Sequence, residues 1–351
     1  MKKYLELFFK KKKNSLIGID LTTHDIKIVE LSKLGDGNFR LDKFAYRELP
    51  GGLVSEDIVV DSQQVGQIIK DLVEENKMIT RDVAISVPQN TVITQQVIVS
   101  GDNEREIESE IENSGKKYIH TDIDEVEFDF KVLSESQDGA NKTILLVACK
   151  QKNITSRDDA IIIAGLEPKI VDSEAYVYER MFPRIVSQIK HELALTETVV
   201  NSILMVELFE KKIKTVLINN GKTVYNEEQT IEMERRSVKT ISLTADGDPL
   251  SNNSKVHYKI GVHAAINKVI NLVSASVERS NIISCIVFMG QEKYIDDIKD
   301  YVQDKLQINC LIANPLSGME ISDKINMIDL MTKAPMLVVA CGLAMRENEY
   351  D

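Results

Sequence analysis

Two stretches of this chain can be laid on one another without a gap: SLIGIDLTTHDIKIVEL, from Ser15 to Leu31, and SILMVELFEKKIKTVLI, from Ser202 to Ile218. Each reads as strand, tight turn, strand. Ser15, Leu21, Ile26, Lys27 and Val29 meet identical Ser202, Leu208, Ile213, Lys214 and Val216, and Asp20 meets Glu207. Apolar residues largely meet apolar residues, as they must where both hairpins serve equivalent cores. Strand alternation alone makes such matches common, so the overlay needs support from its surroundings. Two homologous α/β halves, each opening on the same hairpin, predict a two-domain clamshell with a cleft between them.

The surroundings agree. After the first hairpin, NFRLDKFAYREL gives a third strand. DSQQVGQIIKDLVEENKM predicts a helix, with Asp61 and Gln64 as a capping box and Val65, Ile68, Ile69, Leu72 and Val73 as one apolar stripe. DVAISVP and TVITQQVIVS read as strands, and NEREIESEIENSGKKYI as an amphipathic helix. EVEFDFKVLSES and KTILLVACK pair around a polar loop. The helix ITSRDDAIIIA then stops at Gly165, where a left-handed cap suits glycine. EPKIVD is a strand and SEAYVYERMF a helix. The second hairpin turns at NNG, a type I′ signal, and ADGDPLSNNS is a loop. A long helix (VHAAINKVINLVSASVERSN), the buried strand ISCIVFMG and the helix EKYIDDIKDYVQDKL complete an alternating α/β pattern.

Length and charge narrow the function. At 351 residues the chain favours two or more domains, and 43 basic against 55 acidic residues (net charge -12) argue against a nucleic-acid partner. Cys149, Cys285, Cys310 and Cys341 are scattered without a C-x-x-C pair, which reads as buried small hydrophobes in a reducing cytoplasm, not as a zinc site. The longest apolar run, Pro335 to Met345, is about half of the roughly 20 residues a membrane crossing needs. In the opening MKKYLELFFKKKKNS, Glu6 interrupts the apolar core and Lys10 to Lys13 follow it, unlike a signal peptide. That segment reads as a basic flexible tail, with grazing of an anionic membrane surface by Leu5, Leu7, Phe8 and Phe9 as the alternative.

Several apparent motifs do not survive inspection. The G-K-T at Gly221 to Thr223 lacks the earlier glycine of a P-loop, Val216 standing there instead, and precedes a strand where a helix is required. His24, His120, His191, His257 and His263 show no ligand spacing, and His24 reads as a solvated turn residue. Asp122, Asp124, Glu125, Glu127 and Asp129 alternate with Ile123, Val126, Phe128 and Phe130, the pattern of a half-buried strand with a charged edge.

The order of elements resembles the actin-like ATPase superfamily (ribonuclease-H-like halves), where each hairpin turn offers backbone N–H groups to nucleotide phosphates and a strand-end acid positions magnesium. More narrowly, the chain resembles the PilM family of type IV pilus assembly, itself similar to the division protein FtsA. The resemblance is carried by LIGIDLTTHDIKIVELSK, ELPGGLVSEDIVVDSQQVGQIIKDL, DVAISVPQNTVITQQVIV, DEVEFDFKVL, AGLEPKIVDSEAYVYER, NPLSG and VVACGLAMRE, in that order nearly end to end. It implies nucleotide-site positions at Asp20, Thr22, Thr23, Lys27, Glu207 and Gly290, with Asp20 serving a metal only if Mg-ATP binds. Here the sequence departs from the pattern. Thr22 replaces a glycine two residues after the acid, Phe209 stands at the matching place in the second turn, and Met289–Gly290 replaces a Gly-Gly pair. Each change adds a side chain where close backbone approach is expected. The reading is a degenerate nucleotide cleft with no assigned cofactor, ATP and Mg2+ being those the resemblance would bring.

The expected domains are a basic tail over 1–14, a first actin-like half over 15–85 with 168–195 and 334–351, an inserted α+β subdomain over 86–167, and a second half over 196–333. The resemblance implies a non-enzymatic cytoplasmic scaffold at the inner-membrane face. It would bind the N-terminal cytoplasmic peptide of PilN, with other pilus platform or motor proteins as further partners and DVAISVPQNTVITQQ as the first place to look for the groove. The alternative is an ATP-binding or ATP-hydrolysing actin-like protein coupling nucleotide state to pilus assembly. A membrane-tethered division protein like FtsA would end in an amphipathic helix after a linker, which this sequence does not show.

Overall fold

The computed structural model describes residues 15–35, 38–55, 57–119, 125–136, 141–195, 198–231, 252–275 and 283–346. The basic tail, His120, Asp122, Asp124 and most of the loop expected at ADGDPLSNNS lie outside them. The chain divides into two compact units: one up to Glu174 with Glu320–Ser322 and everything from Val339, the other Ala175–Met319 with Asp323–Val338.

The first unit opens on β1 (Ser15–Leu21) and β2 (Asp25–Lys33), followed by β3 (Phe39–Glu48), the two-residue strands β4 (Val54–Ser55) and β5 (Ile58–Val59), α1 (Ser62–Glu75) and β6 (Asp82–Val87). An insert follows: β7 (Val92–Ser100), α2 (Glu104–Ile119), β8 (Val126–Glu135) and β9 (Asn141–Lys150). Then come α3 (Gln151–Ile163) and β10 (Glu167–Ser173). β1 and β2 are buried along nearly their whole length, β1 through Leu16, Ile17 and Ile19, and β2 with the charged Asp25, Lys27 and Glu30 buried between its apolar residues. The main sheet has the order β10-β6-β1-β2-β3, closed at the far edge by β16 (Glu320–Ile321). Only β2 runs antiparallel to its neighbours.

One face of this sheet, with Ile17, Ile19 and Leu21, packs with Val65, Ile69 and Leu72 of α1 and Ala160 and Ile161 of α3 into one core. Asp61 caps α1, its carboxylate accepting the Gln64 N–H at 2.9 Å. At Gly66 a Cβ would lie 2.8 Å from the Ala160 carbonyl, so glycine sets the α1–α3 spacing. The sequence reading assigned α3 to the insert, but its buried residues serve the main sheet. Gly165, at φ +74°, ends it in the left-handed cap expected.

The insert's three strands form a separate sheet, β7-β9-β8. Ile107, Ile111 and Tyr118 of α2 meet Val99, Ile144, Leu146 and Ala148 in a core of its own. Along β8, Val126, Phe128 and Phe130 pack against that core, while Glu127 and Asp129 alternate with them.

The second unit begins at Ala175, within α4 (Glu174–Glu192), and continues through β11 (Ser202–Leu208), β12 (Lys212–Asn219), β13 (Lys222–Thr230), α5 (Asn252–Ala275), β14 (Cys285–Gly290), α6 (Glu292–Leu306), β15 (Cys310–Ile312) and α7 (Met327–Lys333). Its sheet order is β13-β12-β11-β14-β15, with β12 alone antiparallel. This is the first sheet's order repeated. The turn between β12 and β13 has Asn220 at φ +50° and Gly221 at φ +76°, the type I′ geometry the NNG predicts. The residues Gly221 to Thr223 are therefore turn and strand, not a phosphate loop.

The hairpin overlay holds pair by pair. Ser15↔Ser32 through Leu21↔Ile26 in the first hairpin match Ser202↔Asn219 through Leu208↔Ile213 in the second. Even the turns coincide: Thr22 N–H donates to the Asp25 carbonyl and Phe209 N–H to the Lys212 carbonyl, both at 3.0 Å.

One helix sits differently from the expectation that residues 168–195 stay with the first half. β10 does, but α4 packs in the second unit: Arg184 donates to the Ser317 carbonyl, Gln188 to the Ile312 carbonyl, and Glu179 accepts from Lys222 and Thr223. The last helix, α8 (Val338–Ala344), lies on β1 of the first unit. A Cβ on Gly18 would be 2.0 Å from the Ala340 carbonyl, so only glycine admits this helix so close.

Candidate functional site

The C-terminal end of β1 carries a buried cluster of charge. Asp20 is 3% exposed, Asp25 4%, Lys27 1%, Arg157 1% and Glu174 8%. Asp20 and Lys27 are directly opposed in the β1–β2 register, which puts both side chains on one face. The Lys27 Nζ lies 3.1 Å from an Asp20 oxygen and 2.8 Å from an Asp25 oxygen. Thr22 Oγ1 donates to that same Asp25 oxygen at 2.6 Å and accepts the N–H groups of His24 and Asp25 at 3.1 Å. From α3, Arg157 donates to the Leu21 carbonyl at 3.1 Å and the Asp57 carbonyl at 3.2 Å.

Burial dominates the electrostatics. It pushes the Asp20 carboxyl above its ordinary value; Lys27 opposes this, while Asp25 and Glu174 add to it. Burial likewise lowers the Arg157 guanidinium, against the pull of Glu174, Asp57 and Asp20. With three acids and two bases, the group has one carboxylate in excess.

The second unit places Glu207 and Gly290 together, at the ends of neighbouring strands: Glu207 pairs with Met289 and Leu208 with Gly290. Gly290 has φ +111°, and a Cβ there would lie 2.6 Å from the Leu208 carbonyl, so this glycine is a backbone necessity of the strand end. Glu207 opposes Lys214 in register, and the Lys214 Nζ stands 5.6 Å from the Tyr178 ring centroid. Phe209, half-buried in the turn, has its carbonyl taken by the Tyr258 hydroxyl at 2.5 Å.

Of the positions named from sequence, Asp20, Thr22 and Lys27 thus form one bonded group, Thr23 is half-buried beside them, and Glu207 and Gly290 adjoin each other. Sequence reasoning missed Asp25, Arg157 and Glu174. Asp25 could have been found: it stands two residues before Lys27, which places both on the same strand face. Arg157 could not, because its approach to β1 depends on α3 docking.

At the first turn the charged side chains are already committed to one another. A phosphate at the first turn would face the Asp20 and Asp25 carboxylates, with the Lys27 ammonium and the Thr22 hydroxyl already committed to them. A metal on Asp20 would stand against that ammonium. In the second turn an aromatic side chain replaces the glycine. Among the described residues, no group of three or more His, Cys, Asp or Glu side chains is arranged to hold a metal.

A sheet order of 3-2-1-4-5 with the second strand reversed, occurring twice on matching hairpins, defines an actin-like protein with ribonuclease-H-like halves. The family model described as Type IV pilus assembly protein PilM matches residues 18–234 and 257–348. The chain belongs to that family. A solved structure of a PilM–PilN type IV pilus biogenesis complex has the same fold, with a TM-score of 0.64 at 21% identity over 94% of this chain and 98% of that one. Weaker likenesses include a Bacteroides thetaiotaomicron protein with an actin-like ATPase fold (TM-score 0.44, 10% identity, 95% and 97% covered). Another is the ethanolamine utilization protein EutJ from Carboxydothermus hydrogenoformans (TM-score 0.47, 12% identity, 94% and 88% covered).

Proposed function

We propose that this chain is a non-catalytic docking body of the type IV pilus assembly platform, holding the N-terminal cytoplasmic segment of a PilN partner. On this reading it works in the cytoplasm at the inner-membrane face, recruited through its partners. The observation that carries the non-catalytic part is the closed net at the first turn: Lys27 held by Asp20 and Asp25, and Thr22 by Asp25. That net engages the Asp20 carboxylate, the acid that the family resemblance would give to a metal.

Support for docking comes from family membership and from the insert. β7 is an edge strand of the three-stranded sheet, with Ile93 and Ile98 exposed. An extended peptide can add to such an edge through main-chain hydrogen bonds, with alternate side chains giving specificity. Among the described residues no single helix is long and apolar enough to cross a membrane.

The test is isothermal calorimetry with a peptide copying the PilN cytoplasmic tail, with and without millimolar Mg-ATP. Equal affinity in both supports a nucleotide-independent scaffold. Affinity that depends on ATP would favour the nucleotide-coupled alternative, and absence of binding in both would remove PilN as the partner.

A further inference from the structure

Among the described residues the edge strand β15 pairs with a strand on one side only, β14. Asn309 accepts from Ile286 at 2.9 Å and Ala313 donates to Phe288 at 2.8 Å, so residues 309, 311 and 313 address β14. Strand alternation then turns Cys310 and Ile312 outward. Two side-chain amides occupy part of that outer edge. Gln303 accepts the Cys310 N–H at 2.9 Å, and Gln188, 3% exposed, imitates a neighbouring strand, donating to the Ile312 carbonyl at 2.7 Å and accepting the Asn314 N–H at 2.9 Å. Between these two caps, the Cys310 carbonyl and the Ile312 N–H have no partner among the described residues. They are the acceptor and donor that one residue of an added strand would engage.

This gap opens on a cavity of about 390 Å³, whose apolar wall includes Leu311, Ile312, Met331, Ala334 and Pro335. Its lip continues along α7 as an exposed apolar patch: Met327 is 49% exposed, Met331 57% and Ile328 81%. Methionines adapt to varied apolar partners. The thiol of Cys310 is pushed up to about 12 by burial and takes no part as a nucleophile.

Charge indicates the occupant. At the rim Lys299 is paired with Asp300 and Lys333 with Asp329. Glu192 also lines the cavity, where it accepts from the neutral amide of Gln188 at 2.8 Å and stands near the Cys285 thiol, with no ion pair among the described residues. The cations here are neutralised and a carboxylate is left over, on a chain of net charge -12.

We propose that the outer edge of β15 is a second docking groove, which takes an extended apolar segment flanked by lysine or arginine from a partner protein. The segment adds one strand at Cys310 and Ile312, sets an apolar side chain in the cavity, and places its cation beside Glu192. The inference does not depend on PilN binding, which is read on the insert's edge instead.

The test is to pan a random seven-residue phage-displayed library on the full chain and measure the best-enriched peptide, labelled, by fluorescence polarisation. Enrichment of apolar centres with basic flanks is expected. Met331→Glu, at an exposed site that leaves folding intact, should weaken binding at least ten-fold. Glu192→Lys should weaken it several-fold, and increasingly so at low salt. No enrichment over empty support, enrichment without basic flanks, or affinity unchanged by Met331→Glu would each overturn the proposal.

Discussion

Lys27 is where the chemistry of the first unit is decided. Its ammonium, 1% exposed, is the buried cation that two buried carboxylates share at 3.1 and 2.8 Å. Replacing it with methionine keeps most of the volume but strands Asp20 and Asp25 against each other. Breaking such a pair from one side costs about 3–5 kcal/mol, because a charge is left buried without compensation. Urea denaturation of Lys27→Met should show that loss, and a change below about 1 kcal/mol would mean the net is not closed as described. Asp20 gives a second, pH-dependent prediction. Burial raises its pKa above 3.8, so the folded protein binds that proton more tightly than the unfolded chain does. Its stabilising contribution is therefore full below 3.8 and lost as pH rises through the folded-state value. Asp20→Asn presents a neutral group at every pH. Between about pH 4 and pH 7 the urea midpoint of the natural protein should fall relative to that of Asp20→Asn, and a difference constant across this range would contradict the raised pKa.

At the scale of elements, the insert has its own sheet and its own core, so it should open on its own. Ile144, fully buried on β9, anchors that core. Ile144→Ala should cost about 2–4 kcal/mol. In hydrogen exchange the loss should appear in the amides of β7 to β9 and leave those of β1 and β2 unchanged; uniform acceleration across both sheets would show one cooperative unit instead. Elements also show what the sequence made legible. The paired hairpins could be aligned to the residue because strand register has period two, and a slip would have turned Lys27 and Lys214 to the opposite face. The NNG turn and the Gly165 cap follow from local backbone geometry and were readable for that reason. Helix placement was not. α3 lies next to the insert in sequence yet packs on α1, and α4 follows the first sheet's last strand yet serves the second sheet. Periodicity shows which face of a helix is apolar, but not which apolar surface will receive it. The same limit hid Arg157: nothing in RDDAIII indicates that its guanidinium will reach the end of β1.

At the scale of the whole molecule, both units keep an acid and a lysine opposed at the end of the first strand, Asp20 with Lys27 and Glu207 with Lys214. The departures in sequence lie in the turns just beyond: Thr22 in one and Phe209 in the other. What the sequence could show was that glycines are missing from these turns. What it could not show was that a buried charge net stands at the first of them, because that depends on the desolvation of five side chains from separate segments. If the net is closed, binding energy should come from peptides and not from nucleotide. Any ligand that binds only the folded state stabilises it by mass action, by about 2.7 kcal/mol at one hundred times its dissociation constant. In a unit of this size each kcal/mol raises the melting temperature by roughly 2–4 °C. Thermal denaturation in saturating PilN tail peptide should therefore move the transition upward by several degrees. Millimolar Mg-ATP, with or without the peptide, should leave it in place. An upward shift with Mg-ATP that disappears in Asp20→Asn would show that the strand-end acid still serves a nucleotide, and the docking body would then have to be read as a nucleotide-gated one.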